Sequence, residues 1–210
     1  MTKADLVAYV RTLAEDLVQP YLTSDKTLDA YITGAEREAA ERALYLRLDS
    51  SYDISVRSGT PTYEISDLII LINRVKLLGP DKPLIKTTRR ELDFNLHQWE
   101  EKSGTPKYYF QEGLNITLYP IPDVGFTLLM DGARLPESSM ETPAKYHESL
   151  AYWCLYRIYS GRDADVTNPG LANFNLSQFT KVFGHKRSAQ FETVNANASE
   201  ISPLYLNNFA

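Results

Sequence analysis

The stretch from Trp99 to Pro136 constrains this chain more than any other, because glycine and proline divide it into short pieces. Gly104-Thr105-Pro106 opens an aromatic run, Tyr108-Tyr109-Phe110. Gly113 with Asn115 supplies a second turn, and Ile116, Leu118 and Tyr119-Pro120 follow as a half-buried pattern closed by Pro122. Gly125 to Arg134 is a third run, rich in Phe, Leu and Met. Three short apolar runs with turn residues between them predict an antiparallel meander. Pro120 and Pro122 have no N–H to give to a ladder, so that end is expected at a sheet edge or a strand terminus.

Helical periods flank this region. Leu6, Val10, Leu13, Ala14, Leu17 and Val18 recur at helical spacing and predict a helix over about 3–19, ended by Pro20. A second is expected over about 27–48, capped by Ser24 or Asp25 and apolar along Leu28, Ile32, Ala35 and Ala39. Its Glu36, Arg37, Glu38, Glu41 and Arg42 read as a solvated face. Residues of about 54–87 carry extended patterns, with a hairpin expected from the runs 73–78 and 83–87 about Gly79-Pro80-Asp81-Lys82. Thr87 or Thr88 is expected to cap a short helix over about 89–98, with Glu91 placed for a capping box. Two helices, about 143–160 and 169–194, follow a second β-region of about 107–135, with Tyr146, Leu150, Trp153 and Cys154 on the inward stripe of the first. The expected fold is α+β, mainly α. An N-terminal helical pair, a small antiparallel middle and two packed C-terminal helices make one domain over 1–194. Residues 195–210 form an extended C-terminal arm. That arm carries Ile201, Leu204, Tyr205, Leu206 and Phe209, more large apolar groups than a free tail holds, so it is expected to dock, by preference on a neighbouring subunit.

No residue pattern in the sequence marks a catalytic or metal-binding centre. His97, His147 and His185 stand in separate helices without metal-ligand spacing, and each is expected at a surface or a helix end. Asp163 and Asp165 begin like a calcium loop, but Asn168 stands where the loop needs Gly and Phe174 where it needs Glu. The one cysteine, Cys154, lies on an apolar stripe and reads as core. No phosphate loop or nucleophile elbow is present, so no cofactor and no enzymatic activity are expected. The net charge is −5, with both signs mixed and no basic stripe, which argues against a sequence-independent grip on nucleic acid. No run is long and apolar enough to span a bilayer, and no signal core opens the chain, so a soluble protein made in a cytoplasm is expected. Fourteen tyrosines against two tryptophans suit contact surfaces.

Taken together over about residues 60–190, the order Trp99, Gly104-Thr105-Pro106, the aromatics, Gly113-Leu-Asn-Ile-Thr-Leu-Tyr-Pro120-Ile-Pro122 and a strand ending in Ala133-Arg134-Leu135-Pro136 resembles tailed-bacteriophage head-to-tail connector (adaptor) proteins. Pro143-Ala-Lys-Tyr146-His147 sits where that family begins its next helix, and Arg162-Asp163-Ala-Asp165 follows a helix end as it often does there. The resemblance implies a structural virion protein at the capsid–tail junction, assembled in the host cytoplasm. It implies a homo-oligomeric ring, commonly a dodecamer, whose partners are the portal protein and tail (nozzle, tube or fibre) proteins. Genomic DNA would pass through the lumen without sequence-specific binding. On this reading Ile201, Leu204, Tyr205, Leu206 and Phe209 meet the portal or a neighbouring subunit. The turns at Gly79, Pro80, Asp81 and Lys82, at Gly113, and at Pro120, Pro122 and Asp123 meet the tail. The alternative is a virion-carried protein that binds or degrades cell-wall carbohydrate, with Trp and Tyr stacking on sugars; it requires a pair of carboxylates in a cleft.

Overall fold

A computed structural model of the chain describes residues 1–79, 83–161 and 167–188. Two compact units emerge, the first built from 1–46 with 134–186, the second from the intervening 47–133. The fold is α+β, as expected.

The first unit is helical: α1 (Lys3–Leu13), α2 (Asp25–Ala43), α4 (His147–Tyr159) and α5 (Pro169–Phe183). Thr2 and Asp5 close a capping box on α1, Ser24 caps α2, and Asn168 with Pro169 starts α5, each satisfying amides that the first turn leaves free. Leu6, Val10, Leu28, Ile32, Leu150, Leu155, Phe179 and Phe183 fill the core. Ala35, Ala39 and Ala151 among them are fully buried.

Local chemistry ends three helices earlier than periodicity suggests. The pattern of α1 continues through Leu17 and Val18, but the chain leaves the helix after Leu13, Glu15 turns to φ +57°, and the Asp16 amide bonds back to the Arg11 carbonyl. Leu44, left-handed at φ +51°, stops α2 at Ala43, short of 48. Gly184, at φ +84°, stops α5 at Phe183, where a helix to 194 was expected. A 3-10 turn, Ala144–Tyr146, precedes α4.

The charged face of α2 is not wholly solvated. Glu36 is buried and accepts from the Met140 amide at 2.9 Å and from the Thr142 hydroxyl at 3.3 Å. Arg42 donates to Glu38 at 2.9 Å and reaches across to the Thr180 hydroxyl and the Gly184 carbonyl of the α5 end. Tyr45 donates to or accepts from the Thr142 hydroxyl at 2.9 Å, and its own hydroxyl is pushed up to about 12, mainly by burial.

The second unit is built on β1 (Ile54–Val56), β2 (Thr62–Glu64), β3 (Ile69–Leu77), β4 (Ile85–Lys86), β5 (Ser103–Gly104), β6 (Tyr108–Glu112), β7 (Asn115–Tyr119), β8 (Ile121–Pro122) and β9 (Phe126–Arg134), with α3 (Arg89–Asn95) between β4 and β5. The sheet orders are β1-β9-β3, β2-β7-β6-β4 and β5-β8. The expected hairpin of β6 and β7 forms, with Tyr108 opposite Tyr119 and Glu112 opposite Asn115. The meander does not continue: β9 joins β1 and β3. The reason lies in β7, whose second edge is taken by β2, Thr62 opposite Thr117. Pro120, beyond a cis peptide bond, follows the last residue of β7, so the prolines do mark a strand terminus. The runs 73–78 and 83–87 meet through the bridge Lys76–Pro83 and then part, because β4 turns to run parallel to β6, Ile85 beside Tyr108. The Thr88–Glu91 capping box is present, and α3 ends at Asn95, not 98.

The β2-β7-β6-β4 sheet is apolar on both faces, which hides simple alternation. Tyr109, Ile116 and Leu118 pack with Val56, Val75, Leu128 and Met130. Tyr108, Phe110 and Tyr119 pack on the opposite face with Leu92 and Trp99. Trp99 meets Phe110 and Tyr119 edge-on, at centroid distances of 5.9 Å each, and its indole N–H donates to Asp93 at 2.7 Å.

Candidate interaction surfaces

The turns expected to meet a partner fall into two groups. Gly79 follows β3, and the Leu78 amide bonds to the Thr127 carbonyl, so that end lies against the start of β9. Pro122 and Asp123 precede β9 and hold the neighbouring turn: the Gly59 amide donates to the Pro122 carbonyl at 2.8 Å and the Ser58 hydroxyl to that of Asp123. Gly79, Pro122 and Asp123 therefore gather at one end of the β1-β9-β3 sheet, with Leu78 and Val124 exposed beside them. Gly113 is elsewhere. It forms the β6–β7 turn at φ +60° with open space around it, at the opposite end of β7 from Pro120. Pro80, Asp81 and Lys82 lie outside the described residues, as do Asp163 and Asp165 and the whole set Ile201, Leu204, Tyr205, Leu206 and Phe209.

A cleft of about 240 Å³ opens beside Trp99, lined also by Arg89, Glu100, Thr117 and Tyr119. Arg89 forks onto Glu112, with two contacts of 3.1 Å, and its guanidinium is held more firmly protonated mainly by that hydrogen bond. Glu100, 3.4 Å from Arg89, is the one carboxylate in the lining. A glycosidase needs two. The Trp99 ring is buried against Phe110 and Tyr119, so it offers no open face for a sugar.

In the helical unit, His147 takes the helix-end position expected of it. It stands at the start of α4 but is buried, its Nε2–H donating to the Thr142 carbonyl at 2.6 Å. His97 and His185 are exposed. Cys154 is fully buried, and burial pushes its thiol up to about 12. Among the described residues no three His, Cys, Asp or Glu side chains group as metal ligands, and no helix is long and apolar enough to cross a membrane.

Sequence reasoning missed one construction, the loop between α1 and α2. Arg11 is buried under it and donates to Asp16 at 2.8 Å, to the Thr23 carbonyl at 2.9 Å and to Asp25 at 2.6 Å, with its guanidinium 3.7 Å from the Tyr21 ring centre. Asp16 in turn accepts from the Leu22 and Thr23 amides. The polar groups are thus spent inward, and Leu13, Leu17, Val18 and Leu22 stand outside. The signal was present as Arg11 and Asp16 inside an otherwise apolar period, but the period itself concealed it.

What these units offer is braced turns and exposed apolar side chains, the equipment of a structural protein that works by contact. The profile of the SU10 adaptor protein family matches residues 1–199, and the chain belongs to that family of phage head-to-tail adaptors, which are structural components of the virion. No curated protein matches the chain.

Proposed function

We propose that this adaptor binds the portal vertex as a ring, extends the channel through which DNA leaves the capsid, and presents the platform on which the tail attaches. The family match over residues 1–199, which takes in both compact units, carries the reading. The charge agrees with it: a net −5 without a basic stripe suits a lumen that DNA slides through without being held. The tail contact is assigned to the end where Gly79, Pro122 and Asp123 gather, together with Pro80, Asp81, Lys82 and Pro120. Gly113, at the other end of β7, supplies a separate contact. The portal or neighbouring subunit is assigned to Ile201, Leu204, Tyr205, Leu206 and Phe209, large apolar anchors of the kind that dominate interfaces.

The test is the mass of the purified chain in solution, alone and mixed with portal protein, for the full chain and for one lacking residues 196–210. A ring on the portal with the full chain, lost on truncation, is expected. Unchanged portal binding by the truncated chain removes the assignment of the arm. A stable monomer that ignores the portal removes the function.

A further inference from the structure

We infer that the C-terminal arm of one copy adds as a strand to the free edge of β2 in the next copy, with Tyr205 seated in the cleft beside Trp99. The inference rests on the adaptor reading and deepens it, by naming the surface that receives the arm.

The edge follows from the register. The Leu118 amide donates to the Pro61 carbonyl and the Ile65 amide to that of Leu114, both at 2.8 Å, and Tyr63 stands opposite Ile116. In an antiparallel pair alternate residues turn their backbone groups to the partner, so 61, 63 and 65 face β7 while Thr62 and Glu64 face away. Among the described residues the N–H and C=O groups of Thr62 and Glu64 have no backbone partner, and both residues are exposed. Such an open ladder is a template for an extended chain.

A three-residue edge bearing a glutamate is protected against chance pairing; the cleft is what singles it out. Thr62 lies opposite Thr117, on the sheet face that carries Tyr119 and Trp99, and both threonines line the cleft. Its volume of about 240 Å³ is below the roughly 300 Å³ at which small-molecule pockets begin, and it suits one large side chain. Pro61, Leu118 and Ile121 give it apolar walls, and the exposed Arg89 and Glu100 offer a donor and an acceptor at its rim. A residue paired opposite Thr62 or Glu64 projects on this face and its two neighbours on the other.

The same geometry chooses the occupant. The sheet is apolar on both faces, so a strand that extends it needs large apolar groups at consecutive positions, not at alternate ones. Leu204-Tyr205-Leu206 is such a run. Tyr205 brings a ring and a hydroxyl to the cleft, and Leu204 and Leu206 come out on the side of Tyr63, itself only partly buried. Pro203, with no N–H to give, suits an outermost strand. Residues 189–203 span up to about 50 Å when extended, enough to leave one subunit and arrive at the next. A second β2 edge is the poorer occupant, since two copies pairing about a twofold axis close a dimer. An arm on an edge joins unlike surfaces, and such a contact closes into a ring when the rotation per subunit permits it.

Cross-linking tests this directly. Glu64→Cys and Asn207→Cys are made separately in the full chain, mixed, and treated with a short bifunctional maleimide, both free and bound to portal; the buried Cys154 does not react in the folded protein. A cross-linked dimer at least ten times more abundant in the mixture than in either variant alone is expected, with a ladder of oligomers from the double variant. No such dimer, free or on the portal, overturns the contact, and so do dimers formed equally by one variant alone. A double variant that gives only internally linked monomer overturns the exchange between copies. Adding Tyr205→Ala to the Asn207→Cys chain should lower the dimer at least fivefold, and an unchanged yield overturns the seating of Tyr205 in the cleft. Portal binding without the cross-link leaves the adaptor reading standing and removes this contact; the cross-link without portal binding does the reverse.

Discussion

Replacing Gly132 by alanine sets a methyl group where β9 passes β3 most closely. A Cβ at this position would lie 2.0 Å from the Leu71 carbonyl oxygen, 3.0 Å from its carbon and 3.1 Å from the Ile72 Cα, all backbone atoms. Ordinary contact begins near 3.4 Å, so the strands would have to part by about 1.4 Å. Ladder bonds of about 2.9 Å do not survive such a shift. The substitution also stiffens the unfolded chain, which favours folding by about 0.4–1 kcal/mol. Overpacking a site that cannot yield costs about 1–3 kcal/mol or more. With ladder bonds at the centre of a three-stranded sheet lost as well, a net loss of about 2–4 kcal/mol is expected. For a unit of this size that is a fall in Tm of roughly 10–25 °C. Thermal melts followed by circular dichroism, and by Trp99 fluorescence with Trp153 replaced by Phe in every variant, measure it. Two controls calibrate the result. Gly125→Ala meets only the Val56 carbonyl at 3.4 Å and should be nearly silent. Gly113→Ala meets nothing but keeps φ at +60°, which costs about 1–2 kcal/mol. A Gly132→Ala protein melting no lower than Gly125→Ala would refute the close approach of β9 to Leu71.

Removing Arg11 alone should be far worse than removing its pair. Arg11→Met leaves Asp16 buried and uncompensated and should cost about 3–5 kcal/mol in urea unfolding, whereas Arg11→Met with Asp16→Leu should recover much of that loss. Equal losses in the single and double variants would show that Asp16 is not held by Arg11. Cys154 should resist iodoacetamide at pH 8 in the folded protein and react fully in denaturant, since burial keeps it protonated; labelling at the rate of a free thiol would contradict its place in the core. Burial raises the Glu141 carboxyl, but the Ser138 amide and the Arg134 guanidinium outweigh it and hold the group below its usual value. A folded pKa that is depressed gives stability present above the unfolded value near 4.5 and lost as the pH falls through the folded one. Glu141→Gln should therefore flatten the acid limb of a stability–pH curve, and an unchanged limb would mean that the bonds to Glu141 do not persist in solution.

Much of this architecture can be read from local chemistry. Ser24 or Asp25, Asn168-Pro169, and Thr87 or Thr88 with Glu91 mark helix starts to within a residue, and they do so because orphan amides need particular acceptors at particular offsets. Pairing between strands is another matter. Alternation tells which side of β7 is buried, yet nothing in Ile116 or Leu118 says that β2 arrives at the free edge before β9 can. The partial burial of the α2 charges escaped notice for a related reason. Glu36 and Arg42 stand at ordinary surface spacings, and only the return of residues 134–186 supplies Met140, Thr142 and Thr180 as their partners. Of the expected contact residues, Gly79, Pro122 and Asp123 come together because the turns at 58–59 and 122–123 hydrogen-bond across a strand end, a closeness that sequence distance conceals.

The helical unit is discontinuous, and its two pieces are synthesised with the whole β-unit between them. As the chain emerges, α1 and α2 have only each other and cannot complete a core that requires Leu150, Cys154 and Phe179. The β-unit is continuous over its strands and can form first. Once it does, its own first and last residues are joined in the bridge Arg47–Ala133. Closing an unstructured loop of about 90 residues costs roughly 4 kcal/mol in chain entropy. A folded insert meets that cost in advance, and the helical unit then needs only to link Arg134 to Leu46 through one amide bond to a carbonyl. Substitutions that prevent the β-unit from folding, Gly132→Ala among them, should therefore delay the helical unit on the ribosome although they alter none of its side chains.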